Sequence, residues 1–142
     1  MITAERSHDF SYGHRVVGHE SACAHLHGHN GRILFIVTGN LDKVGRVIDF
    51  SVIKNLLCQW VENNWDHKFI IYEKDPMWSI LLEADPEGLW RSPFNPTAEN
   101  FAKYLVEVVG PERLQGTGVK LISVTFEETR KCSATYTLAD YV

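Results

Sequence analysis

Five consecutive apolar residues, Ile33-Leu34-Phe35-Ile36-Val37, lie between Gly31 and the pair Gly39-Asn40. Successive side chains of a strand point to opposite faces. A strand that is apolar at both parities needs cover on both sides. Three more segments read as strands: residues 2–16, which alternate loosely, and residues 119–126 and 134–138. Two amphipathic helices stand between the second and third of these. The first follows Asp49 or Ser51, either of which can cap it, with a stripe of Ile53, Leu56, Leu57, Trp60 and Val61. The second opens near Asn95-Pro96-Thr97, with Pro96 in its first turn, and carries Phe101, Tyr104, Leu105, Val108 and Val109. Gly110-Pro111 is expected to end it. The order ββααββ predicts an α+β fold: an antiparallel four-stranded sheet with both helices on one face. The helices cover one side of residues 33–37. Association with other copies through the sheet would cover the other and remove its edges from water. Residues 72–94, which hold Trp78, Trp90, Pro76, Pro86 and Pro93, read as a long ordered connection.

Length and composition agree with this picture and exclude several function classes. The 142 residues suit one domain, residues 1–142, with enough apolar content (44%) to form a core without disulfides. A net charge of −4 gives no basic surface for nucleic acid. No apolar run reaches membrane-span length, and the first residues lack the apolar stretch of a signal peptide. Cys23, Cys58 and Cys132 are odd in number and show no CxxC spacing. They are expected as free thiols in a reducing cytoplasm.

The chemistry concentrates in the histidines, five of which fall between His14 and His29. In a strand, residues i and i+2 share a face, so His27 and His29 can grip one metal ion, with Gly28 between them. His14, on the preceding strand, is the best candidate for a third ligand. Three imidazoles with one open position form the donor set of a catalytic zinc site. His25 shares the parity of His27 and His29, but on a straight strand it lies too far from their metal. His8 and His19 read as surface or loop residues. Cys23 is either a small buried hydrophobe or a thiolate beside a cation. Asp66-His67 gains meaning only if the fold brings it beside Cys23.

A series of motifs runs through nearly the whole chain: Phe10-Ser11-Tyr12-Gly13-His14-Arg15, Cys23-Ala24-His25-Leu26-His27-Gly28-His29-Asn30, Gly45-Arg46-Val47-Ile48-Asp49-Phe50, Trp65-Asp66-His67-Lys68, Pro96-Thr97-Ala98-Glu99-Asn100, Glu128-Thr129 and Tyr136. Their joint order resembles the 6-pyruvoyl-tetrahydropterin synthase family, most of all its bacterial 6-carboxytetrahydropterin synthases of queuosine biosynthesis. The spacing from Cys23 to His27-Gly28-His29 looks like that of the carboxy-forming members. Departures from the family pattern are Gly31, where an aromatic residue is common, Arg46 and Trp65.

The resemblance implies the tunnelling fold and a homohexamer, a dimer of trimers. It implies Zn2+ on His14, His27 and His29. Cys23, Asp66 and His67 are the implied catalytic groups, Glu128 the implied pterin anchor, and Thr97 and Thr129 neighbours of the pterin pocket. The implied substrate is 7,8-dihydroneopterin triphosphate, and the implied partners include neither nucleic acid nor membrane. A zinc-dependent lyase would convert this substrate to 6-carboxy-5,6,7,8-tetrahydropterin, with release of acetaldehyde and triphosphate. Arg15, Lys54 and Lys68 are basic residues available to the triphosphate. Rival readings are a pyruvoyl-forming enzyme on the same scaffold, a non-catalytic metal- or pterin-binding protein, and a metal hydrolase. The last lacks an HExxH-type pattern.

Overall fold

Two long strands, β1 (Thr3–His14) and β2 (His27–Thr38), pair antiparallel without interruption from Thr3↔Thr38 to His14↔His27 in the computed structural model, which describes residues 1–142. The sheet extends by β3 (Lys68–Tyr72), which runs parallel to the end of β1, and β4 (Leu89–Ser92), parallel to β3. On the other side β5 (Lys120–Glu127) pairs antiparallel with β2, and β6 (Ser133–Thr137) with β5. The order is β4-β3-β1-β2-β5-β6. The sheet is therefore six-stranded and mixed, which corrects the expected four-stranded antiparallel one. No glycine marks the entry to β3. The chain turns there at His67, a non-glycine residue in the left-handed region with φ 59°. Two adjacent parallel strands need a crossover, and residues 73–88 supply it.

Three helices accompany the sheet. The first, α1, is continuous through Phe50–Ile53, a π turn at Lys54–Cys58 and Gln59–Asn64. Asp49 is its cap, accepting from the Ser51 amide at 2.8 Å. The short α2 (Trp78–Ala84) lies in the β3–β4 crossover, a third helix that the expected pair did not include. The third, α3, runs through Ala98–Tyr104, a π turn at Leu105–Val109 and Gly110–Arg113. Thr97 rather than Pro96 opens it, and it continues past Gly110-Pro111. Each π turn winds in one extra residue and advances the buried stripe. Cys58 and Val106 are consequently buried, whereas Val108, expected to face the core, is exposed.

Both long helices cover the side of the sheet on which Phe10, Tyr12, Ile33, Phe35, Val37, Val124 and Phe126 point. Phe101 of α3 stacks on Phe126 of β5, with ring centroids 4.6 Å apart. Burial of each such side chain stabilises the fold by about 1.5–3 kcal/mol. The opposite face is mostly polar. Its hydroxyl pairs Ser123–Thr137 and Thr125–Thr135 close at 2.9 and 2.7 Å. Leu34 and Ile36 form the apolar part of β2 on this face, and neighbours half-bury both. No helix is long and apolar enough to cross a membrane.

Candidate metal centre

The β1–β2 register builds the centre directly. His14 pairs with His27, and Tyr12 pairs with His29. Alternation then sends all three imidazoles to the helix-covered face. Their ring centroids lie 4.6 Å (His14–His27), 5.1 Å (His14–His29) and 4.8 Å (His27–His29) apart. The Nδ1–H of His14 donates to the Pro96 carbonyl at 2.7 Å, and that of His27 donates to the His25 carbonyl at 2.7 Å. A carbonyl only accepts, so each bond sets the tautomer and leaves Nε2 with its lone pair. His25 thus takes part through its backbone rather than its ring.

The Nε2 atoms of His14, His27 and His29 are all buried without a hydrogen-bond partner. Glu128, just beyond the end of β5, brings its Oε1 to 3.1 Å from His29 Nε2 without forming a hydrogen bond. The ligand atoms of the four residues lie within 4.8 Å of one another. Buried polar atoms ordinarily find partners. Three orphaned lone pairs and a carboxylate around one point are satisfied by a cation. Three imidazoles with a carboxylate beside them suit a divalent metal ion, and the residues fit such an ion.

The surroundings of His14 and His29 disfavour their protonation. Burial is the main reason that His14 is pushed down to about 4. The Pro96 carbonyl opposes the shift, and nearby His27 and His29 add to it. Burial also lowers His29, against the pull of Glu128 and with the help of His27. Because the folded value for His14 lies below its ordinary 6.5, the unfolded chain takes up the proton first on acidification. The stability from keeping His14 neutral is full above pH 6.5 and falls as the pH drops toward 4. Metal-free protein is expected to lose about 2–3 kcal/mol from this group between pH 7 and pH 4.5. Urea titrations of chelator-treated protein check this. His14→Gln should show a correspondingly smaller pH dependence, and an unchanged one would rule out His14 as the source.

Asp66 and His67 occupy the edge of β1 away from β2. Asp66 Oδ1 accepts from the Ser11 amide at 3.0 Å, and the His67 amide donates to the Ser11 carbonyl at 2.7 Å. Asp66 Oδ2 accepts from His67 Nδ1–H at 2.7 Å, so the exposed ring presents Nε2 outward. Burial acts to raise the Asp66 carboxyl. The Ser11 amide, the His67 bond and the charges of His67 and His8 outweigh it and hold the group below the usual carboxylate range.

A polar cleft of about 900 Å³ joins the two constellations, lined among others by Ser11, His29, Asn30, Asp66, Glu128 and Thr129. Thr129 also orders the following turn, accepting from the Lys131 and Cys132 amides at 3.1 and 3.2 Å. Thr97, expected beside the pocket, does not line this cleft. Its hydroxyl caps α3 at the Asn100 amide, 3.1 Å away, next to the carbonyl that holds His14. Cys23 sits half-buried in the 3-10 turn Ala22–Ala24 and lines neither the cleft nor the metal cluster. Arg15 is engaged with buried Asp75 at 2.8 Å, and Lys68 donates to the Glu87 carbonyl. The arginines of the cleft are Arg32, paired with Asp9, and Arg130, which has no ion-pair partner. The sequence reading missed the approach of Glu128 to the imidazoles and the part played by Ser11. Neither leaves a spacing signal, because both depend on distant segments.

Comparison with known proteins places this geometry in context. Residues 3–139 match the family model described as 6-pyruvoyl tetrahydropterin synthase. A Rickettsia typhi protein named 6-carboxy-5,6,7,8-tetrahydropterin synthase is 35% identical over 134 residues, covering 93% of this chain and 97% of the relative. A Haemophilus influenzae protein of the same name is 30% identical over 112 residues, 74% of this chain and 79% of the relative. Among solved structures, an uncharacterized protein from Wolinella succinogenes superposes with a TM-score of 0.83 at 29% identity, covering 96% of this chain and 97% of that one. The Caenorhabditis elegans 6-pyruvoyl tetrahydropterin synthase superposes at 0.69 with 23% identity, covering 97% and 96%, which shows the shared fold.

Proposed function

The chain belongs to the 6-pyruvoyl tetrahydropterin synthase family, and on that premise we propose that it is a zinc-dependent lyase forming 6-carboxy-5,6,7,8-tetrahydropterin. Its substrate in this reading is 7,8-dihydroneopterin triphosphate, and water is consumed as acetaldehyde and triphosphate leave. The product would feed 7-deazaguanine synthesis of the queuosine type. The observation that carries the proposal is the set of three buried, unpartnered Nε2 atoms beside the Glu128 carboxylate. The names of the relatives support the carboxy product.

His14, His27 and His29 would hold the zinc, which when bound supplies a Lewis acid for the oxygens of the substrate side chain. Glu128 accepts the ring N–H and 2-amino group of the pterin and so sets its orientation. Asp66 holds His67 in the Nδ1–H tautomer, leaving Nε2 to accept a proton and return it. Cys23 is the base. Arg130 supplies positive charge for the triphosphate. Cys23 lines neither the cleft that Asp66 lines nor the hollow that His67 lines, and this favours a site completed between subunits of a hexamer, a dimer of trimers.

Incubation of zinc-loaded protein with 7,8-dihydroneopterin triphosphate, followed by mass analysis, tests the reaction. The expected products are the 6-carboxy pterin and acetaldehyde. A 6-pyruvoyl product without acetaldehyde would overturn the carboxy assignment and retain the family chemistry.

A further inference from the structure

Tyr12 carries a polar group that this mechanism does not use. The residue is 4% exposed, and its hydroxyl is buried with no hydrogen-bond partner. Its ring centroid lies 5.2 Å from that of His14 and 5.5 Å from that of His29. Phe10 stacks on the ring at 5.1 Å, and Phe101 and Phe126 meet it edge-on at 5.5 and 5.6 Å. Gly31 leaves the room it needs, since a Cβ there would come within 3.0 Å of Tyr12 Cε1. The ring is thus held firmly at the metal centre with an unsatisfied donor. Glu128, with its Oε1 3.1 Å from His29 Nε2, flanks the same imidazole as this ring.

Filling of the histidine site changes the needs of Glu128. Its Oε1 stands 3.1 Å from His29 Nε2, the atom that would turn to the cation. The carboxylate, which also lines the cleft, is then placed either to become a fourth ligand or to take a donor. The other orphaned donor of the core, the indole N–H of Trp65, sits among Trp60, Trp90 and Tyr104. We propose that Tyr12 is a positioning residue of this centre: its hydroxyl donates to the Glu128 carboxylate when a divalent cation occupies the three histidines, keeping Glu128 off the cation and the fourth position open. The inference rests on the reading of His14, His27 and His29 as a cation site. It adds to that reading an outer-shell partner of the kind that tunes metal centres.

Cobalt(II) is a suitable probe, because its visible absorption reports the ligand set. Spectra and Co2+ affinity would be measured for wild type, Tyr12→Phe, Glu128→Gln and the double variant, with circular dichroism to check folding. Tyr12→Phe keeps the ring and removes only the donor. The expected result is a shifted spectrum and a roughly tenfold change in Co2+ affinity, toward tighter binding, as Glu128 swings onto the ion. Glu128→Gln alone should resemble wild type, and the double variant should return to it. A Tyr12→Phe protein with unchanged spectrum and affinity would overturn the proposal. So would a double variant that keeps the Tyr12→Phe spectrum, or an altered Glu128→Gln spectrum, which would make Glu128 a ligand in the wild type. Absence of cobalt bands in folded wild type would overturn the cation-site reading itself and this proposal with it.

Discussion

Purified His27→Ala protein is expected to contain less than about a tenth of the metal of wild type, which should hold about one zinc per chain. Turnover should fall by more than about 100-fold, beyond the usual cost of disturbing only an outer-shell partner. The effect is large because the donors are few. His27 supplies one of three buried Nε2 atoms, and its ring is aimed by the His25 carbonyl at 2.7 Å. Two imidazoles at the end of a hairpin cannot enclose the ion. The fold should survive, since His27 is only partly buried and lies outside the hydrophobic cluster of the core. Elemental analysis of the metal and circular dichroism of the fold separate these effects. Full metal content in a His14, His27 and His29 triple alanine variant would overturn the assignment.

The second large effect is expected at Cys23. Cys23→Ala should keep its zinc and its fold while turnover falls by about 10²–10⁴-fold, the usual contribution of a positioned proton-transfer group. The structure makes this test sharper, because Cys23 stands outside the four-residue cluster that could hold the metal. Cys58 and Cys132 provide the controls. Cys58 is buried on α1, so Cys58→Ala should lower stability and leave turnover intact. Cys132 is exposed at the turn after Glu128, and Cys132→Ala should stay active. Wild-type activity in Cys23→Ala would make the thiol a packing group and remove the base from the proposed mechanism.

The legible parts of this protein were those set by covalent alternation and short spacing. His27 and His29 share a face because strand side chains repeat every two residues, and His14 joins them because β1 folds back beside β2. The stripes of α1 and α3 were readable up to their π turns. There one extra residue moved Cys58 and Val106 into the core. The bond from Asp66 to His67 joins neighbours, yet its fastening to Ser11 depends on a segment 55 residues away.

The strands β3 and β4 escaped the sequence reading because each is short and gains its backbone partners only by lying parallel beside β1 and each other. Their entry is a left-handed His67, which no glycine announces. Glu128 shows the same division. The sequence determined a carboxylate just past an apolar strand. The tertiary structure, through the β2–β5 register that pairs Arg32 with Glu127, carried that carboxylate to His29. Side-chain direction is local and follows from the period of the backbone. Which directed side chains meet depends on register and burial, which only the assembled sheet and its helices set.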